Sequence, residues 1–208
     1  MKLKDLTINE FLEKIAGSDP VPGGGSVSAL NGAIASALTE MLANLTLGKK
    51  KYEVVQESMR RTVIDMSEVR EHFMNDIDRD SDSYKFVMEA FKLPKDTDEQ
   101  KSVRSLKIQE ATKLASLVPM EVAECAFFIM DSIAETVYNG NRNAVTDGCI
   151  AMMTCRTAVL GAILNVRINL VSINDGEFVK ELSDKCDKLE KEVVEKEREV
   201  MKWVNENI

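Results

Sequence analysis

Histidine is almost missing from this chain, which has His72 alone in 208 residues. Its four cysteines, Cys125, Cys149, Cys155 and Cys186, stand at no C-x-x-C spacing. A zinc site needs several nitrogen or sulfur ligands at short spacings, so none is expected, and the thiols read as buried and free. A basic excess is missing as well. With 27 Lys and Arg against 35 Asp and Glu the net charge is −8, which argues against a nucleic-acid partner. No basic-then-apolar leader opens the sequence, because Met1 to Asp5 passes into a segment carrying Glu10 and Glu13; a cytoplasmic location is expected. The most apolar run, Cys149 to Val171, carries Arg156 and Arg167 and reads as a core helix, not a membrane span. No strand pattern of useful length occurs, which excludes sheet-based folds.

Helical periodicity fills the chain instead. Thr7 and Glu10 form a capping box ahead of Phe11, Leu12 and Ile15, and Thr97 with Gln100 forms another after the break at Pro94. Between them lie a small-residue helix from Val27 to about Leu47 and a long helix from Tyr52 to about Phe91. Beyond, apolar patterns run through Leu117, from Met120 to Val137, from Ala144 to Leu170 and from Glu177 to Val204, with Pro119 predicted in the first turn after a tight corner. These patterns predict an all-α bundle of about six or seven helices, one domain over residues 1–208. The helix 144–170 is apolar nearly all round, which calls for burial between helices or in a subunit interface, and a homodimer is expected.

The stretch Pro20-Val21-Pro22-Gly23-Gly24-Gly25-Ser26 opens the small-residue helix. Ser26 can cap its first turn, and the glycine amides at the positive end of the helix dipole suit a phosphate or carboxylate; a tight N-cap explains the same residues. Lys49, Lys50 and Lys51 close that helix, either as a solvated cationic cap or as a patch for a polyanionic substrate. In the long helix the apolar stripe Met59, Val63, Met66, Val69, Phe73, Ile77, Tyr84 lands on Asp80, with Asp76 on its flank and Asp78 and Asp82 pointing away. A carboxylate forced into such a stripe has a raised pKa and is suited to acid–base work. Asp147, Asn165 and Asn169 lie in the apolar helix and need partners, either other helices or a ligand.

Taken in order, Val21 to Leu30, Leu45 to Lys50, Asp78-Arg79-Asp80 with Tyr84, Lys92 to Lys95, Asn139-Gly140-Asn141, Asp147 and Asn165 to Leu170 resemble one family over nearly the whole chain. It is the cyclodeaminase/cyclohydrolase family: the carboxy-terminal domain of formiminotransferase-cyclodeaminase and its stand-alone bacterial relatives, some called methenyltetrahydrofolate cyclohydrolase. The resemblance implies a helical homodimer acting on a tetrahydrofolate derivative, possibly polyglutamylated, without metal or redox cofactor. It implies that Asp80 is the catalytic acid–base group, with Asp76 and Asp78 in reserve. On helix-dipole chemistry, the amides of Gly23, Gly24, Gly25 and Ser26, or the patch Lys49, Lys50 and Lys51, are then expected to hold the substrate's glutamate carboxylates. By position, Asp147, Asn165 and Asn169 are expected to bond the pterin or the reacting nitrogens. The transferase half of the longer proteins is absent from this sequence. A bundle that binds folate or another organic anion without turnover is the alternative.

Overall fold

The computed structural model describes residues 2–207. Its helices are α1 (Ile8–Ile15), α2 (Gly24–Thr46), α3 (Gln56–Phe91), α4 (Asp98–Asn139), α5 (Val145–Leu170) and α6 (Gly176–Asn207), and no strand occurs among the described residues. Both capping boxes form: Thr7 and Thr97 each accept from the backbone amide three residues on, and Glu10 and Gln100 reach back to the cap.

Helix α2 is the axis of the bundle, packed between α3 and α5 and antiparallel to both. Along α3 its neighbours run backwards: Gly25 faces Asp80, Gly32 faces Phe73, and Glu40 pairs with Arg70. Along α5 they do the same, from Gly24 beside Asn165 to Leu42 beside Gly148. The small residues make this possible. A methyl on Gly32 would stand 2.8 Å from the Phe73 ring, so that wholly buried ring seats only against glycine. Leu42, Met66, Phe73, Ile129, Met130, Ile133, Met152 and Ile163 fill the centre, each contributing about 1.5–3 kcal/mol by burial. Helix α6 covers α5 and α4 through Leu182, Leu189, Val193, Val200 and Val204, the seam predicted for it.

Two expectations are corrected. The segment Lys50–Val55 is a 3₁₀ turn, so α3 begins at Gln56 and not at Tyr52. Pro119 makes no corner: α4 runs through it unbroken from Asp98 to Asn139. Proline there removes one backbone bond, and a side chain from α5 replaces the missing donor, as described below. Within one chain α5 is buried between helices on part of its surface only. Ile150, Met153, Leu164 and Ile168 are exposed beside Ile34, Met41 and Leu45 of α2, so the two helices present one apolar face to solvent. Residues 142–170 have the length and hydropathy of a membrane span, but half of the most apolar window within them is buried inside the bundle.

Candidate functional site

A cavity of about 310 Å³ opens where the N-terminus of α2 meets α3, α4 and α5. Pro20, Val21, Gly23, Gly24 and Gly25 form one wall; Asp80, Ser83, Tyr84 and Val87 form the second; Ala115, Asn165, Ile168 and Asn169 form the third. Asp80 was selected by the apolar stripe, and Ser83, Tyr84 and Val87 follow it at three, four and seven residues on the same face. Sequence reasoning missed Ser83 and Val87, although that spacing was the signal for them. Ala115 and Ile168 carried no such signal. A depression of about 380 Å³ between the end of α3 and the first half of α4 has an apolar floor of Phe86, Ala90, Leu93, Ala111 and Leu114, and its charged residues Glu89, Lys107 and Glu110 include no buried carboxylate.

The start of α2 differs from the expectation in an informative way. Gly23, not Ser26, is the N-cap, and no side chain of α2 caps the helix. The Asp80 carboxylate faces that mouth from α3, receiving a hydrogen bond from the Ser26 hydroxyl at 3.0 Å, and the neighbouring Ser26 amide favours its charged form. The anion that the glycine-bounded helix mouth recognises is therefore the protein's own. Gly25 is required by this contact: a methyl there would overlap Asp80 Oδ1 outright.

Asp80 is pushed above the usual carboxylate range. Burial is the main cause and the nearby Asp76 adds to it, while the Ser26 hydroxyl and amide oppose the rise. Ser26 Oγ lies 2.9 Å from the Ile77 carbonyl oxygen and 3.0 Å from Asp80 Oδ2. Its single hydrogen serves one acceptor at a time. With Asp80 ionised, the hydroxyl donates to the carboxylate. With Asp80 protonated, the acid donates to Ser26 Oγ and the hydroxyl turns to Ile77. Both protonation states are thus hydrogen-bonded in one geometry, as a group that gives and takes a proton requires.

The reserve carboxylates lie elsewhere. Asp76 is wholly buried on the α4 side of α3, 2.6 Å from Arg79 Nη1, and Arg79 Nη2 reaches Glu121 at 2.7 Å. Burial raises its pKa and Arg79 opposes the rise, but Asp76 does not border the cavity. Asp78 accepts the Leu3 amide at 2.7 Å, and Asp82 pairs with Lys85 on the exposed side. Lys49 and Lys50 are solvated at the far end of α2, about 34 Å along its 23 residues from the glycines. Asp147 lies at that end too, about 27 Å along α5 from Asn165. Within one chain, then, the glycines, Asp80, Asn165 and Asn169 come together, and Lys49, Lys50 and Asp147 do not. Cys149, Cys155 and Cys186 are buried and Cys125 half-buried, all unpaired, and burial pushes the Cys125 thiol up to about 11. Among the described residues no group of three or more His, Cys, Asp or Glu is placed to hold a metal.

An antiparallel helical bundle with a hydrogen-bonded carboxyl of raised pKa on the wall of a cavity defines an all-helical class of protein with a polar-lined cavity at a helix start. Residues 7–188 match the family described as formiminotransferase-cyclodeaminase, and the chain belongs to that family. It is 36% identical over 175 residues to the methenyltetrahydrofolate cyclohydrolase of Methylorubrum extorquens, covering 84% of each chain. It is 30% identical to the formimidoyltransferase-cyclodeaminase of Mus musculus, where the match spans 85% of this chain but 32% of that longer protein. Among solved structures, the formiminotetrahydrofolate cyclodeaminase of Thermotoga maritima superposes with a TM-score of 0.86 at 31% identity, covering 97% of this chain and 96% of that one.

Proposed function

We propose that this protein is a folate one-carbon enzyme that makes or opens the bridge of 5,10-methenyltetrahydrofolate, with Asp80 as the acid–base group. The observation that carries this is the Asp80 carboxyl, raised in pKa and hydrogen-bonded by Ser26 at the cavity. In the cyclodeaminase direction, N10 of 5-formiminotetrahydrofolate attacks the formimino carbon on N5, giving a tetrahedral carbon between two ring nitrogens and an amine. Asp80 takes the proton from N10 and delivers it to the amine, and the C–N bond breaks to release ammonia. In the cyclohydrolase direction water adds to the same carbon, Asp80 takes its proton, and one ring nitrogen receives it as the bridge opens. Neither path changes the oxidation level, so the proposal includes no redox cofactor, and because Asp80 moves the protons it invokes no metal.

Incubation with 5-formiminotetrahydrofolate and, separately, with 5,10-methenyltetrahydrofolate tests it through the methenyl absorbance. Absorbance that grows with the first substrate identifies the deaminase, and accelerated decay of the second identifies the hydrolase. Saturable binding with no turnover of either would replace the enzyme with a folate-binding protein.

The carboxylates of the substrate's glutamate tail cannot share the helix mouth with Asp80, because like charges at that distance repel. The proposal therefore gives them to Lys49 and Lys50 of a second copy, in a homodimer formed by the exposed apolar face of α2 and α5. A two-fold axis crossing α2 near its middle sets the two α2 helices antiparallel and brings the lysine end of one copy to the cavity of the other. Mixing Asp80→Asn protein with a Lys49→Ala/Lys50→Ala variant, each nearly inactive alone, should then restore activity. Half of the randomly mixed dimers carry one intact site, so about a quarter of the parent rate is expected. An inactive mixture would remove the shared site. Free thiols suit a reducing compartment, and the same proposal places the protein in the cytoplasm.

A further inference from the structure

Asn165 and Asn169 stand one turn apart on α5, and both border the cavity. Each is held by its amide nitrogen. Asn165 Nδ2 donates to the Gly161 carbonyl at 2.8 Å, and Asn169 Nδ2 donates to the Ala115 carbonyl of α4 at 2.9 Å. A carbonyl oxygen accepts only a donor, so these two bonds choose the amide orientation and leave each Oδ1 as a free acceptor.

The Ala115 carbonyl needs that donor because of Pro119. In an unbroken helix the amide of residue 119 bonds the carbonyl of residue 115, but proline has no N–H and its ring displaces that carbonyl. Helix α4 continues through the buried Pro119, which leaves the vacated oxygen facing α5. Asn169 satisfies it, and a proline in one helix thereby sets the orientation of an amide in the next.

The remaining lining shows what such acceptors would meet. No Lys, Arg or His borders the cavity. The Ser83 hydroxyl is already spent on the Asp80 carbonyl at 2.7 Å, and Tyr84 supplies the other hydroxyl. One carboxylate and two amide oxygens thus line the cavity without a basic side chain from the same chain, and the partner's lysines are assigned to the glutamate tail. This arrangement favours a ligand group that carries positive charge and N–H donors.

We propose that Asn165 and Asn169 are specificity residues that recognise the cationic N–H-bearing amidine of a 5-formimino substrate through their Oδ1 atoms, and that Pro119 is the positioning residue that aims Asn169. This rests on the folate reading above and assigns the ionic form of the substrate that the cavity takes.

The test is Pro119→Ala in the full-length protein, which restores the missing N–H and competes with Asn169 for the Ala115 carbonyl. The melting temperature should hold or rise, since a helix-interior proline is removed. KM for 5-formiminotetrahydrofolate should increase about tenfold, the worth of a hydrogen bond to a charged group. The Kd of tetrahydrofolate itself, which lacks the amidine, should stay within about twofold. In an Asn169→Ala background, already weakened by the same factor, Pro119→Ala should add nothing. An unchanged KM overturns the proposal. So does equal weakening toward tetrahydrofolate, or a Pro119→Ala effect that persists without Asn169. If Pro119→Ala does not fold, Asn169→Ala alone decides, by raising KM for the amidine while sparing tetrahydrofolate or by failing to do so. Parent protein that binds no tetrahydrofolate derivative would instead overturn the folate reading itself.

Discussion

Asp80→Asn is expected to lower turnover by about 10²–10⁴-fold while leaving folate binding in place, because the substitution keeps the shape and an acceptor oxygen but removes the transferable proton. The same variant carries a stability signature of opposite sign. The folded pKa of Asp80 is raised above its unfolded value, chiefly by burial. A group of this kind contributes stability below the ordinary carboxylate range and loses it as pH rises through the folded pKa. Once pH exceeds the raised pKa, the parent protein bears an ionised, partly desolvated carboxylate that asparagine does not. Melting curves should show Asp80→Asn gaining on the parent as pH rises from about 4, the ordinary carboxylate value, through the raised pKa. A variant that loses turnover but gains no stability with pH would show that the carboxylate is well solvated after all. One that keeps its turnover would remove Asp80 from the mechanism.

Gly25→Ala is the second large effect. The added methyl would overlap the Asp80 carboxylate, which is a short side chain on a long, packed helix. Neither α2 nor α3 can retreat without opening the core around Phe73. Overpacking of this sort destabilises by about 1–3 kcal/mol. Displacement of the carboxylate by about 1 Å should remove about 10²-fold in turnover. An Asp80→Ala background separates the two consequences. There the methyl no longer meets a carboxylate, so most of the stability loss caused by Gly25→Ala should vanish in denaturant unfolding. If it does not, the glycine is needed for some contact other than Asp80.

The two variants report on one contact from opposite sides, and that contact explains an otherwise costly sequence. Glycine in the first turn of a helix forfeits about 1 kcal/mol per position relative to alanine. Helix α2 begins with two and is capped by a third, Gly23, which offers no side-chain acceptor. The Asp80 carboxylate offsets this by facing the helix mouth from α3, and only a backbone without side chains lets it come that close. The helix start and the acid–base group are thus one structure. Their reciprocal stabilisation holds Asp80 at a fixed place while the burial that raises its pKa is maintained.

Much of this was legible in the residues. Apolar steps of three and four placed the helices, and the two capping boxes marked the starts of α1 and α4. A single break in the stripe of α3 pointed to Asp80, because a helix that packs against α2 has one face and an aspartate on that face is conspicuous. These signals are local. They depend on neighbours within one or two turns, which the chain itself keeps in register.

What remained hidden depends on which elements meet and at which ends. Ser26 looked like an N-cap by residue type, yet the helix begins at Gly24, and the acceptor for the Ser26 hydroxyl lies 54 positions away in the chain. Lys49, Lys50 and Asp147 are motif neighbours of the glycines on paper. The antiparallel packing of α2 and α5 puts them at the opposite end of the bundle. Pro119 carries the strongest local signal for a helix break, but the Asn169 amide supplies the donor that proline lacks and α4 continues. The sequence determined the helices and the one acid on an oily face, since these follow from periodicity and covalent geometry. Tertiary structure alone decided which backbone groups that acid and those amides would satisfy, because a buried donor or acceptor takes the partner that packing presents, however distant in the chain.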